Sequence, residues 1–229
     1  MAIIIVLMGP QGAGKGTQAQ MVSERFGLPI VATGDMLRDV ARTETSLGHQ
    51  VREILSSGQL VSDDVLAEVV KNRTSQEDCR DGYILDGFPR TLPQAHLLED
   101  IARGQGHRIV VIKLSILREL LYKRLTGRRQ CPACGTLYNV FFKPPNETGV
   151  CDLDGQPLVT RSDDNEEAIA KRLALYDEKT KPLVDYYNES GRVCRVDGTG
   201  TPDEVFSRIA GIVQREATGE GDWKTMSEE

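Results

Sequence analysis

Six apolar residues in a row, Ile3-Ile-Ile-Val-Leu-Met8, show no polar alternation, the pattern of a strand buried on both faces of a parallel sheet. Similar runs recur at Tyr83-Ile-Leu85, Ile109-Val-Val-Ile112 and Val193-Cys-Arg-Val196, with a shorter one near Leu28 to Val31. Between these five candidate strands the apolar positions follow a helical period. That spacing predicts helices over Lys15 to Phe26, Asp35 to Ala41, Leu47 to Ser57, Ser62 to Thr74, Leu92 to Arg103, Ile116 to Thr126 and Pro202 to Glu216. One long helical stretch, Asn165 to Asn188, follows the cap-forming run Ser162-Asp-Asp-Asn, has Glu166 and Glu167 in its first turn, and carries Pro182 as a point of bending or breakage. Strands alternating with helices give an α/β fold: a five-stranded parallel sheet with crossover helices on its faces.

Residues 127–164 break this rhythm. They are rich in Cys, Pro and Gly, hold short β-type runs, and read as an inserted subdomain. The tail 217–229 is polar and acidic with one Trp223, a composition that predicts flexibility.

Composition narrows the function. At 229 residues, 39% hydrophobic and 27% charged, the chain has the make-up of a soluble globular protein with a sizeable core. A net charge of -6 argues against a broad basic nucleic-acid surface and suits small anionic ligands instead. No apolar run is long enough to span a bilayer, and Ile3 to Met8 lacks the basic flank of a signal peptide, so a cytoplasmic protein is expected, without nucleic acid or membrane partners. Of five cysteines, Cys79 and Cys194 stand alone while three fall between residues 131 and 151. His49, His96 and His107 share no ligand or triad spacing and read as surface residues.

The chemistry begins at Gly9-Pro-Gln-Gly-Ala-Gly-Lys-Gly-Thr17, which follows the first buried strand and opens a helix, the setting of a phosphate-binding P-loop. Glycines turn successive backbone N–H groups towards phosphate oxygens, the helix terminus adds partial positive charge, and Lys15 reaches the β and γ phosphates. Gly12, Ala13, Gly14 and Gly16 supply the cradle, and Thr17 meets phosphate or magnesium. The common pattern puts Ser or Thr directly after the lysine; here Gly16 intervenes. Asp86, at the end of the Tyr83-Ile-Leu85 strand, stands where a P-loop enzyme keeps the acid that orders magnesium and its waters. A glycine-rich strand-to-helix turn and a turn-capping aspartate are the structural alternatives.

Cys131-Pro-Ala-Cys134, then sixteen residues, then Cys151-Asp-Leu-Asp154 has the two-knuckle spacing of a structural zinc site with Asp154 as fourth ligand. Four tetrahedral ligands leave no open position for a substrate, so the Zn2+ is expected to staple a segment too small to build its own core. A disulfide with a spare thiol, or a redox pair, are the other readings of the same cysteines.

Four motifs occur in order: the P-loop, Thr33-Gly-Asp-Met-Leu-Arg38, Asp86-Gly-Phe-Pro-Arg90 and Arg161-Ser-Asp-Asp-Asn-Glu-Glu167. Together they closely resemble the adenylate kinases, from about residue 3 to 212. The resemblance implies a P-loop core over 1–31, 62–126 and 165–216, an AMP-binding segment over 32–61, and a zinc-stapled lid over 127–164. It further implies a monomer transferring the terminal phosphoryl group of ATP to AMP, giving two ADP, with Mg2+ accompanying ATP. It places Thr33, Gly34, Arg38, the backbone of Gln59, Leu60 and Val61, the loop Gly87, Phe88, Pro89 and Arg90, and Gln94 around AMP. Gln94 reads the adenine edge, since an amide offers both a donor and an acceptor. By the same resemblance Arg38 and Arg90 are expected to hold the AMP phosphate, Arg124 and Arg128 to approach the ATP phosphates, and Arg161 and Arg172 to bridge the transferring group. Leu137, Tyr138, Gly198 and Gly200 are implied near the ATP base or ribose, although hairpin packing and a plain turn account for them equally. Asp163 and Asp164 resemble a hinge and latch for the lid, beside their local capping role.

Arginines suit such a reaction because charge spreads over equatorial phosphoryl oxygens, where planar bidentate donors stabilise it without covalent chemistry. The nearest rival is a kinase of this fold acting on UMP, CMP or GMP. A rival of another class is a nucleotide switch whose zinc knuckles contact RNA or protein.

Overall fold

The computed structural model describes residues 2–57, 59, 61–161 and 163–218. Five strands make one parallel sheet in the order β2-β3-β1-β4-β7: β2 (Ile30–Ala32), β3 (Gly82–Asp86), β1 (Ile3–Met8), β4 (Arg108–Ser115) and β7 (Val193–Asp197). All six β1 residues are buried, because helices cover both faces of the central strand. Alternation sorts the side chains: Ile3, Ile5 and Leu7 face a core with Val22, Leu125, Ile169 and Ile209, whereas Ile4, Val6 and Met8 meet Val70, Leu98, Leu183 and Tyr187. The first group lies on α1 (Lys15–Phe26), α6 (Arg118–Thr126), α7 (Glu166–Leu175) and α9 (Pro202–Thr218). The second lies on α4 (Asp63–Thr74), α5 (Leu92–Gln105) and α8 (Pro182–Glu189). A third cluster, Leu37, Val51, Val61 and Leu66, packs α2 (Thr33–Ala41) and α3 (Ser46–Ser56) beside α4.

Register brings the loops together. Leu7 pairs with Asp86 and Ala32 pairs with Asp86 on the other side, so the P-loop, the start of α2 and the loop after β3 leave the sheet at one level. This is the carboxyl edge of a parallel sheet, where ligands of α/β folds bind.

Gly82 starts β3 at φ +116, and a β-carbon there would lie 2.4 Å from the Ile3 carbonyl oxygen. Both strain and collision act on Gly82→Ala, so a loss of about 2 to 4 kcal/mol is expected from the urea midpoint, with an unchanged m-value. A loss below about 0.5 kcal/mol would show that the β1–β3 start adjusts freely.

The long stretch expected over Asn165 to Asn188 is not one helix. Asn165 caps α7 through its side chain and the Ala168 N–H, and Glu166 and Glu167 occupy the first turn as read from the sequence. Tyr176–Thr180 then widens into a π turn closed by Lys181 N to Tyr176 O at 2.8 Å, and α8 restarts at Pro182. Proline lacks an N–H and crowds the preceding turn, and the wider turn accommodates both. Most other helices have a boundary shifted by one or two residues. Helix α2 begins at Thr33, not Asp35, and α6 at Arg118, because Leu117 before it is extended at ψ 139. Of the three histidines, His107 is half-buried, its ring edge-on to Tyr83. Leu60, Ser162 and residues 219–229, including Trp223, lie outside the described residues.

The insert carries the antiparallel pair β5 (Arg128–Gln130) and β6 (Leu137–Asn139). Its buried apolar cluster is Cys131, Tyr138 and Cys151, with Leu158 packed against them.

Candidate active site

The P-loop wraps the amino end of α1, with Gly12 and Gly14 at φ 81 and 96. Gly14 caps the helix without a side chain, which leaves the first-turn amides facing the loop interior. Lys15 folds back over this ring, its Nζ donating to the carbonyls of Gly9 at 2.8 Å and Pro10 at 3.0 Å. Asp86 Oδ2 lies 3.5 Å from where a Gly16 β-carbon would stand, so its carboxylate faces the first turn of α1, near Thr17, which is exposed.

Beyond Asp86 the loop Gly87 to Arg90 closes on α2. A β-carbon at Gly87 would sit 2.8 Å from Thr33 Oγ1 and 2.9 Å from Arg90 Nη2, so Thr33 and Arg90 meet over bare backbone. The Phe88–Pro89 bond is cis and Phe88 is buried. Arg90 Nε donates to Gly87 O at 2.7 Å, while Thr180 of the π turn donates to Arg90 O at 3.1 Å. Gln94 is buried in the first turn of α5. Its Oε1 accepts from Arg90 N at 2.7 Å and its Nε2 donates to Asp63 Oδ1 at 2.6 Å. Arg38 pairs with Asp35 on the same helix. Val61 is buried in the α2–α3–α4 cluster and Gln59 is exposed, its N–H bonded to Ile54 O.

Opposite stand the arginines at the root of the insert. Arg128 grips the fully buried Asp164 carboxylate through Nε at 2.7 Å and through Nη2. Arg172, on α7, donates to the Asp163 carbonyl at 2.7 Å and to its carboxylate at 2.9 Å. Arg161 Nε donates to Gln130 Oε1 at 2.6 Å. Arg124 bridges the P-loop carbonyls of Gly12 and Ala13, at 3.4 Å each, and the Gly198 carbonyl at 3.3 Å, with Phe142 stacked at 6.0 Å.

These cations crowd one another. Burial first, then the neighbouring guanidiniums, hold Arg161 and Arg172 down to about 10, with Asp163 pulling both the other way. Burial likewise lowers Arg90 and Arg124. Lys15 falls to about 8, through burial and then Arg90, Arg172 and Arg128, against the pull of Asp86. Desolvated like charges repel, and an anion in their midst relieves the repulsion. The arrangement is therefore built for multiply charged phosphates.

The family model described as adenylate kinase matches residues 7–192. The chain belongs to the adenylate kinase family. A protein named adenylate kinase from Trichlorobacter lovleyi is 46% identical over 207 residues, spanning 90% of this chain and 97% of the relative. Similar matches come from Caldanaerobacter subterraneus, 44% over 206 residues (90% and 93%), and Clostridium perfringens, 42% over 214 residues (93% and 98%), both also named adenylate kinase.

Within this adenylate kinase fold most residues singled out from the sequence converge, and a few do not. Tyr138 is buried in the insert, its hydroxyl accepting from Asp152 N at 2.8 Å and lying 3.6 Å from Cys151 Sγ, so hairpin packing accounts for it. Leu137 is half-buried on the same strand. Gly200, at φ 103, turns the chain into a reciprocal cap in which Thr201 N donates to Glu204 and Glu204 N donates to Thr201. Sequence reasoning missed Phe142, Gln130, Thr180 and Asp63. An exposed aromatic in a polar hairpin was the available signal for Phe142; the others bear no mark until the fold places them.

Cys131, Cys134, Cys151 and Asp154 place their ligand atoms within 4.8 Å of one another. Each knuckle repeats one turn: Gly135 N to Cys131 O, and Gly155 N to Cys151 O. The Cys134 and Cys151 sulfurs are 3.6 Å apart. A disulfide needs about 2.05 Å, whereas a tetrahedral metal with bonds of about 2.3 Å holds two sulfurs about 3.8 Å apart. The four residues thus fit a closed metal site, and all described cysteines are free.

Proposed function

We propose that the protein reversibly transfers the γ-phosphoryl group of ATP to AMP, giving two ADP and so balancing the adenine nucleotide pool. The observation that carries this reading is the convergence of Lys15, Arg90, Arg128 and Arg172, cations from four separate segments of the chain, at the mouth of the P-loop. Gly12 to Thr17 and Lys15 receive the ATP phosphates, with Arg124 and Phe142 beside the donor nucleotide. Thr33, Gly34, Arg38, Gln59 to Val61, Gly87 to Arg90 and Gln94 receive AMP. Arg161 and Arg172 approach the group in flight, and alignment of the AMP phosphate oxygen with the γ-phosphorus supplies much of the rate. No side-chain nucleophile takes part.

Asp86 and Thr17 are the residues suited to Mg2+ and its waters, and the ion would neutralise charge between the β and γ phosphates. Cys131, Cys134, Cys151 and Asp154 would hold Zn2+ as a structural ligand set. The core comprises residues 1–31, 62–126 and 165–216, with 32–61 as the AMP segment and 127–164 as a lid excluding water. The reading includes a monomer, and cysteines gathered as metal ligands instead of disulfides suit a reducing, cytoplasmic setting.

The test is ADP formation from ATP and each nucleoside monophosphate with Mg2+. AMP should be the preferred acceptor; preference for UMP, CMP or GMP would favour the rival kinase, and slow hydrolysis independent of AMP would favour a switch. The metal reading has its own check. Chelation should lower the melting temperature by at least about 5 °C and expose residues 127–164 to proteolysis. Unchanged melting of a sample shown metal-free by elemental analysis would overturn it.

A further inference from the structure

Asp63 opens α4, far in sequence from Gln94, yet its two carboxylate oxygens are both engaged at the amino end of α5. Oδ1 accepts from Gln94 Nε2 at 2.6 Å and Oδ2 accepts from the Thr91 hydroxyl at 3.0 Å. Thr91 in turn caps α5, its Oγ1 accepting from Gln94 N at 3.4 Å. The Gln94 amide is thereby held at both ends, because Arg90 N donates to Oε1 at 2.7 Å.

We propose that Asp63 sets acceptor specificity by locking the Gln94 amide in one of its two flips, so that the site takes a 6-aminopurine and turns away a 6-oxopurine. A backbone N–H only donates, and an ionised aspartate only accepts. Turning the amide over would therefore set Nε2 against the Arg90 N–H and Oε1 against the Asp63 carboxylate, two repulsive contacts at a site where Gln94 is 1% exposed. The lock leaves one Nε2 hydrogen and one Oε1 lone pair in fixed places. Adenine answers them with a ring-nitrogen acceptor and an exocyclic amino donor; in guanine and hypoxanthine the 6-oxo group and N1–H reverse that order. An amide free to flip would accept either. Rejection by an unpaired buried polar group is the stronger form of discrimination.

The inference rests on the acceptor reading given under the proposed function, and the experiment separates the two. Steady-state kcat and KM are measured with AMP, IMP and GMP for the wild-type chain, Asp63→Ala, Asp63→Asn and Thr91→Val. Wild type should favour AMP over IMP by at least about a hundredfold in kcat/KM. Asp63→Ala should cut that ratio at least tenfold, mainly through a raised KM for AMP, with KM for ATP within twofold. Asp63→Asn keeps the volume but presents an amide that accepts or donates, so the ratio should drop at least threefold; this variant carries the test if the alanine form fails to fold. Thr91→Val frees Oδ2 and should fall between wild type and Asp63→Ala. A brace that merely ties α4 to α5 would lower melting and affect all three acceptors alike. An AMP:IMP ratio within twofold of wild type in Asp63→Asn overturns the proposal. A wild-type chain indifferent to the base overturns the acceptor reading instead.

Discussion

Replacing Lys15 by methionine is expected to lower kcat about a thousandfold while raising stability. The ammonium sits inside the P-loop ring, drawn to the Gly9 and Pro10 carbonyls, and is desolvated among Arg90, Arg128 and Arg172. In the proposed reaction the β and γ oxygens of ATP would replace those carbonyls as its partners, and the charge developing in transfer would fall on a group already in place. Methionine has similar bulk and no charge, so positioning by backbone amides remains and the electrostatic stabilisation goes.

The stability gain has a defined pH signature. Lys15 has a folded value of about 8 against an ordinary 10.5. Below pH 8 both folded and unfolded chains carry the proton, and the folded state bears the full cost of a desolvated charge. Between about pH 8 and 10.5 the folded chain releases the proton first, so stability through this group rises with pH. Above that range the cost is gone. Urea unfolding of wild type should show that rise, and Lys15→Met should flatten it. A variant that retains a tenth of wild-type kcat would remove Lys15 from the transfer step.

The second large effect belongs to Arg172. Its guanidinium is the partner of Asp163, and both side chains are nearly buried, at 12% and 9% exposure. Arg172→Ala leaves that carboxylate uncompensated and strips a cation from the site. A stability loss of about 3 kcal/mol and a fall in kcat of about a hundredfold or more are expected together. The double variant Arg172→Ala with Asp163→Asn separates them. Removing the orphaned charge should restore most of the stability, by thermal melting, and none of the activity. Recovery of activity in the double variant would mean that Arg172 serves the hinge alone. Arg172→Lys keeps the charge without the planar fork and should lie between.

The same residues show how far the sequence could be read. The P-loop was legible because its glycines, lysine and flanking elements are contiguous, and one strand-to-helix turn fixes their geometry. The clustering of Cys131, Cys134, Cys151 and Asp154 was legible for a similar reason: each knuckle is a local turn of the same form, and the spacing between them suffices to close a loop. Continuous apolar runs marked β1, β3 and β4, since only a strand covered on both faces has no polar side; β7, at the sheet edge, carries the exposed Arg195.

What depended on pairing across the chain was not legible. Nothing near Asp63 announces Gln94, and the two meet only because α4 and α5 pack side by side on one face of the sheet. The widening of the turn before Pro182 required the rest of α7 to be anchored, since proline alone predicts a break as readily as a π turn. Arg128 and Arg172 lie outside the four motifs and were named only through the family resemblance, and their grip on Asp163 and Asp164 arises where the insert returns to the core. Local chemistry is written in the sequence wherever backbone geometry is set by neighbours a few residues away. Tertiary packing decides the rest, because a side chain's orientation and charge depend on partners that the sheet order, and not the chain order, brings within reach.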